Sequence, residues 1–301
     1  MTGQSRPMLN QLTPYVHWFP PDSTTDRPII GVVHGEQASL VVDAGNSPAH
    51  ARLILEEVAR LNLPPLKYLA LTHWHWDHVF GVATFNLPTF AHLETRRRLV
   101  QMANWDWRDA ALDQRVERGI EIAFCRDNIK RELPDRRQLV IRPPDVTFND
   151  GLEVDLGGVT CQIVHVGGDH SPDSSVIYVP EERVLFTGDC LCEDFYSGPL
   201  SYTTARLFPL IDTLLSFNAD YTLEAHNPQP TSRQAMAADL ARLKTIGRVV
   251  DSIGPDRQGV LTRLATQLDR PLDEDIHQIV DSFLAGLKKQ ALGLLRARMV
   301  N

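Results

Sequence analysis

With 301 residues, the chain is long enough to bury a sizeable core in one large domain, or one domain with an appendage, rather than in a string of modules. Its composition is that of an ordinary globular protein, and a net charge of -8 argues against sequence-independent binding of nucleic acid through a basic surface. No apolar run reaches bilayer-spanning length, and the opening "MTGQSRPMLNQLTPYV" lacks the apolar core of a secretory signal, so a cytoplasmic protein without a membrane partner is expected.

In chain order, "IIGVVHG" and "ASLVVDAG" are short β-branched runs closed by glycine and read as strands of a hairpin or meander. "PAHARLILEEVARL" has apolar residues near helical spacing and a proline near its start, which predicts a helix. "LKYLALTH" then reads as a buried strand whose C-terminal end delivers His73. Strand, helix, strand implies a crossover unit, whose functional loops lie beyond the strand's C-terminal end. From about 94 to 137 the chain is dense in charge and suits helices, with arginines interleaved among acids as on a solvated face. These helices could also cover a pocket, with Trp105, Trp107 or Phe124 facing a substrate.

Strand signals return in "QLVIRPPDVTF", "GLEVDLGGVTCQIVHVGG" and "SSVIYVPEERVLFTGD", the last a hairpin turning at "VPEERV". "ARLFPLIDTLLSF" reads as a helix and "DYTLEAH" as a short strand ending at His226. Beyond Pro230 the periodic leucines predict helices separated at Pro255 and Pro271. The expected division is a catalytic domain over residues 1–230, carrying the helical insertion, with residues 231–301 as a helical segment packed on it. That segment could complete a pocket, form a homodimer interface or simply pack across the domain.

"LALTHWHWDHVFG" places His73, His75, Asp77 and His78 within six positions. On a helix His73 and His75 would point apart, whereas on a tight loop after a strand they converge. Imidazole and carboxylate together suit borderline divalent metals such as zinc. Four candidate ligands from one loop exceed what one ion easily takes, and two adjacent ions sharing the loop resolve the excess. The isolated His17, His34, His50, His92 and His277 read instead as structural. So do Cys125, Cys161, Cys190 and Cys192, which have no disulfide framework or paired zinc-knuckle spacing and read as reduced thiols. Trp74 and Trp76 read as brackets that pin the loop, with one of them a candidate for the substrate mouth.

This stretch resembles the signature of the metallo-β-lactamase fold superfamily, and later segments match in order. "GGDHSPDSS" resembles the family's turn carrying His170, "VLFTGDCL" the strand end carrying Asp189, and "TLEAHNPQP" the final turn carrying His226. "LVVDAG" resembles the early strand whose aspartate, Asp43, supports the site from behind. The resemblance runs from about Pro28 to Pro230 and implies an α/β (α+β) four-layer αβ/βα sandwich. It implies one metal on His73, His75 and His170, a second on Asp77, His78 and His226, and Asp189 bridging them. Zinc is the first expectation, with manganese or iron as alternatives.

A histidine triad leaves a tetrahedral ion one open position, where bound water deprotonates near neutral pH. The resemblance therefore implies a metal-bridging hydroxide that cleaves an ester, thioester or lactone of a small molecule. Asp77 or a metal-bound water returns the proton, and Tyr196, or equally Tyr202, is a candidate oxyanion donor. Asp189 stands where the best-known zinc β-lactamases carry Cys or Ser, and His75 where the diiron flavoproteins carry Glu. That brings the pattern nearest to hydroxyacylglutathione hydrolases and lactonases. Asp169 and Asp173 depart from it by replacing glycines of the His170 turn. The basic residues with which those hydrolases hold glutathione have no clear equivalent here. A one-iron persulfide dioxygenase and a phosphodiesterase or nuclease of the same fold are the alternatives.

Overall fold

A computed structural model describes residues 8–268 and 271–299. Residues 1–7 of the N-terminal stretch and residues 300–301 of the C-terminal segment lie outside the described residues. The first sheet takes its seven strands in chain order: β1 (Asn10–Thr13), β2 (Val16–Phe19), β3 (Ile30–His34), β4 (Ser39–Val42), β5 (Leu66–Ala70), β6 (Thr89–His92) and β7 (Val146–Phe148). Pairing is antiparallel as far as β4 and parallel from β4 to β7.

The change of sense at β4 follows from the crossover helix α1 (Pro48–Arg60). Its start is written in the sequence: the Ser47 hydroxyl accepts the His50 N–H at 2.9 Å, and Pro48 occupies the first turn, where no N–H is needed. Two single turns, α2 (Trp76–Val79) and α3 (Val82–Phe85), follow β5. The charged segment forms α4 (Leu93–Met102), α5 (Asp109–Glu117) and α6 (Ala123–Glu132). Several of its arginines meet nearby acids at the surface, as in Arg108–Asp106 and Arg137–Asp135. Arg115 differs: it is buried, with its guanidinium stacked on both Trp105 and Trp107 at 4.8 and 4.7 Å.

The second sheet comprises β8 (Gly151–Asp155), β9 (Thr160–His165), β10 (Ser175–Val179), β11 (Val184–Gly188), β12 (Tyr221–Glu224) and β13 (Thr231–Ser232). Its order is β13-β12-β11-β10-β9-β8, with β11 and β12 its one parallel pair among the described residues. Helix α7 (Thr204–Ser216) makes that crossover, and α8 (Arg233–Ile253), α9 (Arg257–Leu268) and α10 (Glu274–Met299) follow.

Alternation along the strands sorts the core into three layers. Leu40 and Val42 of β4 face Ile163, Ile177 and Phe186 between the sheets, whereas Val41 faces α1 through Ile54. On the far side, Val176 and Leu185 meet α7 and α8 through Leu210 and Leu240. Helices, sheet, sheet and helices make the four-layer sandwich. Two expectations need correction. The run "QLVIRPPDVTF" is a strand only at β7, because Pro143 and Pro144 have no N–H for a ladder. The strand before His73 ends at Ala70, three residues early, as the Thr72 N–H turns to the Asp43 carboxylate. Among the described residues, no helix is long and apolar enough to cross a membrane.

Candidate metal centre

Four of the parallel strands, β4, β5, β11 and β12, end at one place. Asp43 follows β4, His73 follows β5, Asp189 follows β11 and His226 lies just beyond β12. His75 caps α2, and Asp77 and His78 ride on that single turn. The loop between β9 and β10 brings His170 in from the second sheet. Gly188 permits the approach of Asp189: it has φ 53, and a Cβ there would lie 2.6 Å from the Thr72 hydroxyl.

The seven residues form two overlapping sets, His73, His75, His170 and Asp189, and Asp77, His78, Asp189 and His226. Within each set the potential ligand atoms lie within 4.8 Å of one another. Asp189 Oδ2 is common to both, 3.8 Å from His73 Nε2, 3.5 Å from His170 Nε2, 3.2 Å from His78 Nε2 and 3.6 Å from His226 Nε2. Asp77 Oδ2 lies 3.0 Å from His78 Nε2 and 3.2 Å from His226 Nε2.

The set fits a metal by its donor chemistry. Burial holds His73 and His75 well below the usual imidazole range, helped by their imidazole neighbours His78 and His170, and burial lowers His170 too. Neutral rings keep a lone pair for a cation. The His170 Nε2 is buried without a hydrogen-bond partner, an orphan that a metal would satisfy. Its Nδ1 lies 3.2 Å from the Glu193 carbonyl, which fixes the tautomer. Against burial, the carboxylates of Asp77, Asp43 and Asp189 raise His78, and those of Asp189 and Asp77 raise His226. Seven donors in which histidines stand in for cations are a site built around missing positive charge.

Behind the cage, Asp43 accepts from the Thr72 N–H at 2.8 Å and from the Thr72 hydroxyl, and its Oδ2 takes His78 Nδ1 at 2.8 Å. The departures Asp169 and Asp173 brace the His170 turn from two layers. Asp169 accepts the N–H and hydroxyl of Thr203, at 2.7 Å each, where α7 begins. Asp173 takes the Ser171 hydroxyl and, at 2.7 Å, the hydroxyl of Thr95 on α4.

The two tyrosines are engaged elsewhere. The Tyr196 hydroxyl donates to buried Glu121 at 3.1 Å, and that of Tyr202 to the Leu191 carbonyl at 2.9 Å, so neither points at the cage as an oxyanion donor would. Trp76 is core, against Phe80, while Trp74 lies against His75 and lines a cavity. Of the insertion's aromatics, Phe124 and Trp105 line cavities and Trp107 is buried. Sequence reasoning missed Asp26, whose Oδ1 is 3.6 Å from His226 Nδ1. Burial and the Asp77 carboxylate push it up to about 7. Its signal was faint: an aspartate in a turn, at φ 61. All four cysteines are free thiols.

The sequence profile of the metallo-beta-lactamase superfamily matches residues 29–233. Among curated relatives, the linear primary-alkylsulfatase of Pseudomonas sp. (strain ATCC 19151) is 22% identical over 240 residues, 70% of this chain and 43% of that protein. Hydroxyacylglutathione hydrolase GloC of Haemophilus influenzae is 28% identical over 196 residues, 60% of this chain and 78% of that one. The chain spans about half or less of the length of several other curated relatives it matches. A solved beta-lactamase domain protein from Burkholderia ambifaria has the same fold, with a TM-score of 0.56 and 19% identity over 97% of this chain and 90% of its own. With a profile matching well over half of its length and a fold to agree, the chain belongs to the metallo-beta-lactamase superfamily.

Proposed function

We propose that this protein is a hydrolase that uses two divalent metal ions, zinc in the first instance, to cleave an ester, thioester or lactone of a small molecule. The observation that carries the reading is the pair of donor sets meeting at Asp189. His73, His75 and His170 would hold one ion, Asp77, His78 and His226 the other, and Asp189 both. Bound there, the metal pair supplies a water nucleophile active near neutral pH and draws charge from the substrate carbonyl.

The chain's own residues prepare that chemistry. Asp43 holds a proton of His78 on Nδ1, and the Glu193 carbonyl does the same for His170, so Nε2 is the atom each ring would offer a metal, His78 giving up its second proton to do so. Hydrolysis adds water across the acyl carbon and breaks its bond to oxygen or sulfur. Asp77, its Oδ2 between His78 and His226, is the group we assign to return the proton to the leaving atom. Free cysteines support a reducing compartment, the cytoplasm.

The second donor set favours this reading over a one-iron persulfide dioxygenase. The alkylsulfatase relative favours a second reading, sulfate-ester cleavage, which release of sulfate from a medium-chain alkyl sulfate would support. The direct test is chelation. Hydrolysis of a panel of esters, thioesters and lactones should vanish with the metal and return with zinc or manganese, and activity that survives complete metal removal refutes the proposal.

A further inference from the structure

Two cavities meet at the cage and differ in chemistry. The first, of about 400 Å³, opens over Asp77, Asp189 and His226 and is walled on its other side by Ile122, Phe124 and Cys125 of the α6 start and by Cys192, Phe195 and Tyr196 of the facing loop. Phe124 stands 59% exposed at its rim, a large apolar side chain with no core to join. The second, of about 370 Å³, lies beyond Tyr196 and is lined by Trp74, Trp105, Asp169, Asp194, Arg98 and Arg206. His75, His170 and Tyr196 line both cavities, so the shared wall is the histidine side of the cage with the Tyr196 ring beside it. That ring packs at 5.2 Å from His75 and 5.7 Å from Trp74, and Glu121 fixes its hydroxyl.

Charge separates the two sides further. In the second cavity the carboxylates are already satisfied. Asp169 accepts from Thr203, and Asp194 accepts the N–H groups of Tyr196 and Ser197 and meets Lys289 Nζ at 3.1 Å. Among the described residues, Arg98 lies over Trp74 at 5.0 Å with no carboxylate within ion-pair distance, and Arg206 pairs with Asp169 alone, at 3.9 Å. The first cavity has no lysine or arginine in its lining; it carries Asp26 beside a wall of apolar side chains, and Asp77 and Asp189 add negative charge to it while no ion is bound.

We infer that the substrate has two arms joined at the scissile bond: an apolar group lying toward Ile122, Phe124 and Phe195, and an anionic group lying toward Arg98 and Arg206. This rests on the hydrolase reading for the reaction but not for the binding. Tyr196 stands between the arms as a positioning residue that sets where the reacting carbonyl meets the cage.

The test uses amides, which carry both arms without an ester to cleave. N-octanoyltaurine, N-octanoylethanolamine and N-acetyltaurine are titrated calorimetrically into the full chain, metal-free and zinc-loaded, with quenching of Trp74 and Trp105 fluorescence as a second signal. N-octanoyltaurine should bind tightest in both forms, and each methylene of the acyl series should strengthen binding by up to about fourfold until the cavity fills. Arg98→Gln and Arg206→Gln should each weaken the taurine amide by up to about fivefold and leave the ethanolamine amide unchanged. Phe124→Ala should flatten the chain-length series and spare N-acetyltaurine. All three substitutions are at exposed positions, so the fold survives them. Equal binding of the three amides, or a taurine preference that survives both arginine changes, overturns the inference. If binding behaves as stated while no ester, thioester or lactone is cleaved, only the hydrolase reading fails.

Discussion

Replacing Asp43 by Asn isolates the role of one carboxylate behind the cage. In the native chain Oδ1 accepts the Thr72 N–H at 2.8 Å and Oδ2 takes His78 Nδ1 at 2.8 Å. An asparagine keeps one acceptor. If its oxygen stays on Thr72, its NH2 faces His78 Nδ1, which must then accept, and the imidazole proton moves to Nε2. That atom is 3.2 Å from Asp189 and is the one we assign to the metal. If the amide flips, the Thr72 N–H is left buried without a partner, at about 1–3 kcal/mol.

Losing such a support weakens metal binding by about 10–100-fold. Asp43→Asn should therefore lower affinity at the Asp77, His78 and His226 position by that factor, and leave the His73, His75 and His170 position within about threefold. Stepwise competition with a chromogenic chelator resolves the two. Unchanged affinity at both positions, or an equal fall at both, would refute the tautomer argument.

Other outcomes follow from particular contacts. Tyr196→Phe should cost under about threefold in kcat/KM, because its hydroxyl serves Glu121. An oxyanion donor would cost about 100-fold or more, and that result would return Tyr196 to the catalytic group. His50 is buried with both ring nitrogens unpartnered, and burial, with Arg27 nearby, lowers it to about 3. The unfolded chain takes up this proton below about pH 6.5 and the folded chain does not, so stability held above that pH is lost as pH falls toward 3. By pH 4 the loss is about 3 kcal/mol, and urea titrations of His50→Leu at pH 7 and pH 4 should show a smaller difference than wild type. Gly286→Ala should lower the urea midpoint although alanine favours a helix by about 1 kcal/mol. The new Cβ would sit 1.8 Å from the Tyr202 carbonyl oxygen, a backbone atom that cannot step aside, and a raised midpoint would contradict this packing.

The sequence made some of this legible and hid the rest for physical reasons. The α1 crossover and the strand ends after β5, β11 and β12 were readable because β-branched runs, a proline start and clustered ligands coincide there. The short β1, β2 and β6, of four residues each, carry too few alternations to stand out. The cage ligands announced themselves as residue types, but what surrounds them did not. Asp169 and Asp173 looked like disturbances of a glycine turn, and only contacts across more than 30 residues, to Thr203 and Thr95, explain them. Arg115 sat unmarked among surface arginines until two tryptophans closed over it. Tyr196 was found by its nearness to Asp189, and its direction depends on Glu121, 75 residues away.

If the seven converging residues hold two ions, hydrolysis depends on both. Elemental analysis of the chain after stepwise zinc addition, read alongside hydrolysis in the same samples, tests this most directly. Two equivalents should bind per chain, with activity following the second. A single equivalent at saturation, or full activity in the metal-free protein, would contradict this.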